Sequence, residues 1–311
     1  MKLIISGSKG FVGKNLSGFL LQTGYVLNTI SRVSEKDNEI SWTHVTANNK
    51  IIRSADVFIH LAGKAHDLND TIDAEEYFAV NTGLTKLLFD TFLESPSRDF
   101  IYFSSVKAVA DTVDGVLNED VAPNPQTPYG QSKQQAEEYL LAQPLPGGKR
   151  LFIIRPCMIH GPGNKGNLNL LFKFVQKRIP YPLAAFNNQR SFLSISNLNF
   201  VIEKIISEPA IPGGIYNLAD DEPLSTNEVI NIIAQTIGLK PKLWKLNPAF
   251  IKGIASIGDK LHLPLTTERL KKLTENYIVS NQKIKTVLHL DHLPVSSKEG
   301  LIITIKSFSA H

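Results

Sequence analysis

Leu3-Ile4-Ile5-Ser6-Gly7-Ser8-Lys9-Gly10-Phe11-Val12-Gly13-Lys14 stands at the head of the chain, and its reading decides the fold. Leu3 to Ser6 is a short apolar run that Gly7 ends. From Lys14 to Gln22, Leu16, Phe19 and Leu20 recur at helical spacing, with Gly24 as the stop. Between strand and helix lie glycines spaced G-x-x-G-x-x-G. Glycine there permits a tight turn, lets backbone N–H groups approach a pyrophosphate, and allows close helix packing. A Gly-rich turn alone is commonly only a turn. With a strand before it and a helix after it, Gly7, Lys9, Gly10, Phe11, Val12 and Gly13 are the candidate dinucleotide cradle.

Outward from that turn, apolar runs alternate with helical patterns. Strands are predicted at Val26 to Ile30, Val57 to Leu61, Phe100 to Phe103 and Leu151 to Ile154, and helices at Ala74 to Leu93 and Pro128 to Leu141. Asn118 to Thr127 reads as a loop. The alternation predicts an α/β, Rossmann-type doubly wound parallel sheet. After Arg155-Pro156 the chain is broken by Gly161-Pro162-Gly163 and Gly166, and a helix from about Leu168 to Arg178 follows. Ser225-x-x-Glu228 is a capping box opening a helix over Val229 to Ile237. Residues 1–156, with a returning segment at about 190–218, are expected to form the nucleotide-binding domain. Residues of about 157–189 and 219–311 are expected to form a smaller substrate lobe without chemistry of its own.

Composition narrows the class. The 311 residues are 42% hydrophobic and 20% charged, as in a folded globular protein. Cys157 is the one cysteine, which rules out an internal disulfide and a cysteine-based zinc cluster. The net charge of +4 is spread over dispersed lysines rather than a basic stripe, so no nucleic-acid partner is expected. Glycines interrupt the N-terminal apolar run too early for a signal peptide, and Lys252 and Gly253 interrupt Phe250 to Ile257. The expectation is a cytoplasmic protein without membrane insertion.

Two further patterns carry chemistry. Tyr129-Gly130-Gln131-Ser132-Lys133 puts a phenol and an ammonium on one helix face. A neighbouring cation favours phenolate, so the tyrosine pKa is expected to fall from about 10 toward neutrality. Ser104-Ser105 ends an apolar strand, where ligands bind in open α/β sheets. Ser105 is the candidate hydroxyl, and Ser104 reads as the start of a loop. The eight histidines show no ligand spacing, His60 and His66 included, and no metal is expected. Cys157 reads as a small packed residue.

Together these motifs resemble the extended short-chain dehydrogenase/reductases, in the NAD(P)-dependent sugar-nucleotide epimerase/dehydratase branch. The resemblance runs over nearly the whole chain, through Gly7 to Gly13, His60-Leu61-Ala62-Gly63, Val80-Asn81-Thr82-Gly83, Ser104-Ser105, Tyr129 to Lys133, Ile153-Ile154-Arg155-Pro156 and His160-Gly161-Pro162-Gly163. It implies that Tyr129 is the acid/base group, that Lys133 binds the nicotinamide ribose, and that Ser105 holds the reacting sugar oxygen. It also implies that Leu61, Ala62, Gly63 and Pro156 line the cofactor, with Asn81 supporting it. Arg190 resembles the arginine that meets the substrate diphosphate, and an ordinary surface arginine is the equal alternative. A homodimer built on two helices is also implied.

Departures from the family pattern refine the expectation. Where NAD-preferring members carry an acid after the second strand, this chain has Ser31-Arg32, which suits the 2′-phosphate of NADP(H). Stacking on adenine or facing solvent would suit Arg32 equally, and NAD(H) remains the alternative cofactor. Val106-Lys107 replaces the Asp-Glu of 4,6-dehydratases, so that reaction is not expected. Cys157-Met158 replaces the Phe-Asn of many UDP-hexose epimerases. The expected substrate is a nucleotide sugar, a UDP-hexose or UDP-N-acetylhexosamine derivative, with hydride transfer at C4. A 4-keto reductase is preferred, a 4-epimerase is the alternative, and a non-catalytic NADP-sensing protein is the reading from another class.

Overall fold

The computed structural model describes residues 1–33, 37–64, 73–164, 166–261 and 265–309; His66 lies outside them. In chain order the first half contains β1 (Lys2–Ser6), α1 (Phe11–Gln22), β2 (Val26–Ser31), β3 (Glu39–Ser41), α2 (Lys50–Arg53), β4 (Val57–His60), α3 (Ala74–Tyr77), α4 (Leu84–Glu94), β5 (Asp99–Phe103), β6 (Val116–Leu117) and α5 (Pro128–Ala142). The second half contains β7 (Arg150–Pro156), β8 (Met158–His160), α6 (Asn167–Gln176), β9 (Phe192–Ser194), α7 (Ile195–Ser207), β10 (Gly214–Leu218) and α8 (Thr226–Thr236). It ends with α9 (Pro248–Leu261), α10 (Thr267–Thr274), β11 (Ile278–Val279), α11 (Gln282–Val287) and α12 (Ser297–Ser309).

Seven strands form one parallel sheet in the order β10-β7-β5-β4-β1-β2-β3. The order reverses between β1 and β4, and there the carboxyl ends of the strands leave a crevice. Alternate side chains explain why helices cover both faces. Leu3, Ile5, Val57, Ile59, Ile101 and Phe152 pack with α1 and α7. Ile4, Phe58, Phe100, Tyr102 and Ile153 point the other way, onto α4 and α5. A third apolar cluster joins α6, α8 and α12, and a fourth joins Leu183, Ile251, Ala255 and Leu270.

The helix expected from Ala74 to Leu93 is not continuous. A wide π-helical turn, Phe78–Gly83, separates α3 from α4. Asn81 lies buried in that turn and makes the bonds described below; such turns concentrate at functional sites. The helix after the Gly-rich loop begins at Phe11, three residues before the apolar periodicity does. The capping box at Ser225 and Glu228 forms as the sequence predicts. Tyr181 and Leu183 make isolated bridges to Leu243 and Lys245.

Candidate active site

Gly7 has φ +75°, and a Cβ built on it would lie 2.6 Å from the Ala62 nitrogen. The turns after β1 and β4 can therefore meet only with glycine at this place. Ser6 holds the same junction, since its hydroxyl accepts from the Ala62 N–H (3.2 Å) and contacts His60 Nδ1 (2.6 Å). His60 Nε2 continues to Thr85 Oγ1 at 2.9 Å. Gly10 caps α1 without a side chain, so the first turn of the helix is presented bare to a cavity.

That cavity, about 380 Å³, is lined by Gly7, Gly10 to Gly13 and Leu61 at one end and by Ser105, Tyr129, Lys133 and Pro156 at the other. A dinucleotide fits the character of this lining: a side-chain-free helix N-terminus for a diphosphate, then proton-carrying groups. Ala62 and Asn81 stand behind the lining rather than in it. Asn81 Oδ1 accepts from the Lys64 N–H (2.8 Å), while its Nδ2 donates to the Lys64 carbonyl (3.1 Å) and to Ser132 Oγ (3.0 Å). One buried amide thus ties the β4 turn to the helix that carries Tyr129 and Lys133. Lys9, Ser31 and Arg32 do not line this cavity. Lys9 pairs with Glu39 at 3.1 Å, Ser31 Oγ donates to the Val33 carbonyl (2.5 Å), and Arg32 is exposed.

At the far end, Pro128 occupies the first turn of α5, and Thr127 caps it by accepting from the Gly130 N–H (3.3 Å). A Cβ on Gly130 would fall 2.4 Å from the Lys107 carbonyl oxygen, so glycine lets α5 seat against the turn after Ser105. Asp111 locks the same contact by accepting from the Gln126 and Thr127 N–H groups and the Thr127 hydroxyl (2.6, 3.2 and 3.1 Å).

Lys133 is buried, and its ammonium donates to the Phe103 carbonyl at 2.8 Å and lies 4.9 Å from the Tyr102 ring centre. Burial lowers its pKa from 10.5 to about 8, opposed by the Glu137 carboxylate. The expected fall in the Tyr129 pKa is not what this protein shows. Burial raises it above 10, a hydrogen bond from Ser105 opposes the rise, and Tyr77 adds to it. One of the ammonium's three donors is taken by Phe103, and desolvation of the phenolate outweighs the attraction the sequence suggested. Burial likewise pushes the Cys157 thiol well above its usual value, which leaves it a packed group.

Ser104 does more than begin a loop. Its hydroxyl contacts Glu137, whose carboxylate also takes Arg155 through Nε (3.0 and 3.1 Å) and Nη2 (2.5 Å). Sequence reasoning missed Glu137, although its spacing of four from Lys133 puts it on the same helix face. It missed the last third as well. Glu275 and Tyr277 join Ser105, Lys107, Met158 and Arg190 around a cavity of about 210 Å³ that shares Ser105 and Cys157 with the first. Arg190 also borders a third cavity, about 240 Å³, with Leu168, Tyr181, Phe192, Thr226 and Leu273. Its guanidinium donates to the Lys272 and Glu275 carbonyls and lies 3.7 Å from the Glu275 carboxylate. Three linked cavities therefore run from the Gly-rich turn past Ser105 and Tyr129 to Arg190. Among the described residues, no group of three His, Cys, Asp or Glu side chains could hold a metal ion. No described helix is long and apolar enough to cross a membrane.

A relative named UDP-glucose 4-epimerase, from Vibrio cholerae, is 31% identical over 257 residues, 78% of this chain and 77% of its own. A second, from Escherichia coli O157:H7, is named N-acetyl-alpha-D-glucosaminyl-diphospho-ditrans,octacis-undecaprenol 4-epimerase. It is 26% identical over 244 residues, 76% of this chain and 73% of its own. The solved structure of MoeE5 in complex with UDP-glucuronic acid and NAD superposes with a TM-score of 0.76 at 20% identity, covering 100% of this chain and 99% of that one. The model of the NAD dependent epimerase/dehydratase family matches residues 3–219, and the chain belongs to that family.

Proposed function

We infer that this enzyme transfers a hydride at C4 of a UDP-hexose or UDP-N-acetylhexosamine derivative, in the direction of 4-keto reduction. The observation that carries the reading is the placement of Ser105 on two adjoining cavities, one with Tyr129 and the Gly-rich turn, the other with Arg190. Gly7 to Gly13 and Leu61 to Gly63 would hold the dinucleotide, and Arg190 the substrate diphosphate, through forked donors. When bound, the nicotinamide supplies the hydride. Tyr129 then gives its phenolic proton to the C4 oxygen while the Ser105 hydroxyl hydrogen-bonds that oxygen, so the developing charge meets two fixed donors. Lys133, held on Phe103, steadies the phenolate that results. The raised Tyr129 pKa suits a proton donor. Val106-Lys107 offers no acid/base pair for a 4,6-elimination.

Arg32, exposed after β2 where an acid would favour NAD, supports NADPH and hence reduction. The names of the two relatives support a second reading, a 4-epimerase that keeps NAD and returns the hydride to the opposite face. Mass spectrometry of nucleotides released from acid-quenched protein separates the two. An empty protein that prefers NADPH to NADH and reduces a 4-keto UDP-sugar is the expected result. Tightly held NAD would select the epimerase and overturn the role given to Arg32.

A further inference from the structure

Helix α9 buries only part of its apolar surface. Ile251, Ala255 and Gly258 face Leu183 and Leu270, whereas Phe250, Ile254, Ile257 and Leu261 are 37–64% exposed. At 100° per residue these four fall within about 60° of one another, a continuous stripe along the helix. Trp244, also exposed, precedes the helix by four residues. Scattered apolar residues on a surface need no explanation, but four in register along one helix do.

The segment that carries the stripe is strongly positive. Residues 240–272 hold eight lysines and arginines against two acidic residues, a net +6 in a chain whose total is +4, so the remainder carries −2. Lys245, Lys252, Lys260 and Lys271 are exposed; Lys260 lies about 60° from Ile257, at the edge of the stripe, whereas Lys252 lies about 160° from Ile254 and lines a separate groove with Lys271, Phe186 and Leu270. Apolar and aromatic side chains on a strongly positive segment fit the boundary between anionic headgroups and acyl chains. A second copy of this chain would bring lysines against lysines. We propose that α9 and its lysines dock the protein on an anionic bilayer surface, with the stripe lying in the headgroup boundary and no segment crossing.

The test is flotation of the full-length protein with phosphatidylcholine vesicles, with and without about one-third phosphatidylglycerol, at low and high salt. The proposal expects binding to the anionic vesicles alone, weakened by salt. Phe250→Asp with Ile257→Asp should weaken it by at least about 100-fold, and Lys260→Gln by about fivefold. These side chains are exposed, so thermal unfolding should match that of the parent. Absence of flotation at low salt overturns the proposal, as does equal binding by the Asp variant. A solution dimer that the Asp variant turns into a monomer would mean that a second copy covers the stripe, and would overturn it too. Because the readout is binding, the result does not depend on which sugar is reduced.

Discussion

Lys133 Nζ and the Phe103 carbonyl oxygen are 2.8 Å apart, which joins the middle of α5 to the last residue of β5. Ser105 follows Phe103 by two residues, and Tyr129 precedes Lys133 by one helical turn. One hydrogen bond thus helps set the spacing of hydroxyl, phenol and ammonium, and Asn81 secures the same helix through Ser132, the residue before Lys133. Such positioning matters because a donor displaced by an ångström loses most of its effect on a transition state.

Tyr129→Phe tests the proton donor. The change removes one oxygen from a site whose packing rests on Gly130, Tyr77 and Pro128. Turnover should fall by about 10²- to 10⁴-fold with thermal stability and cofactor affinity kept. Turnover intact in this variant would move the acid to another group; no turnover of any ketone or UDP-sugar by the parent would favour the non-catalytic reading.

Lys133 makes the enzyme sensitive to alkali. Its folded pKa of about 8 lies below its usual 10.5, so the ammonium is lost as pH rises through about 8, and turnover should decline there. The stability effect has the opposite sense. Between about 8 and 10.4 the unfolded chain keeps a proton that the folded chain has released, so stability rises with pH across that window. Lys133→Met should flatten this rise relative to the parent in denaturant titrations at pH 7.5 to 10; equal slopes would show that burial does not depress this lysine.

Much of this was legible in the sequence, and the misses share a cause. The Gly7 turn, the Tyr129–Lys133 pair and the Ser225 box are local patterns, each decided within about seven residues. The break at Phe78 to Gly83 was not legible, because Asn81 answers to Lys64 and Ser132, 17 and 51 residues away. Glu275 and Tyr277 escaped for the same reason, since only the fold brings them to Ser105. The Tyr129 pKa was misjudged because sequence shows the nearby charge and hides the desolvation.

Glu137→Gln tests the ion pair under the site. Arg155 and Glu137 are both about 2% exposed, and a buried guanidinium left without its carboxylate is costly. A loss of roughly 3–5 kcal/mol in chemical unfolding is expected. If the carboxylate also supports the charge of Lys133, the alkaline limb of the activity profile will move to lower pH; a profile that stays in place would confine Glu137 to folding.

His60 should make the protein acid-labile. Buried against Ser6 and Thr85, it is held neutral, with its pKa lowered to about 3 by burial and then by the Lys133 charge. Unfolded, it takes up a proton near pH 6.5. Its contribution is present above that pH and is lost as pH falls toward 3, at about 1.4 kcal/mol per unit. His60→Asn, measured by urea unfolding at pH 7, 5.5 and 4.5, should lose less stability on acidification than the parent does. Parallel curves would place the acid sensitivity in the carboxylates instead.

Arg190→Ala separates binding from chemistry. The guanidinium borders the two cavities beyond Ser105, yet its donors already rest on the Lys272 and Glu275 carbonyls, with the Glu275 carboxylate 3.7 Å away. A diphosphate must therefore compete with Glu275 for it, and its two negative charges favour that exchange. Charge-assisted bonds contribute about 1.5–3 kcal/mol, so KM for a UDP-sugar should rise by roughly 10- to 150-fold while kcat changes little. An unchanged KM would make Arg190 a strut between β9 and α10 and reopen the choice of substrate to ketones without a diphosphate. A fall in kcat equal to the rise in KM would instead put the guanidinium in the transition state, closer to C4 than its place beside Glu275 implies.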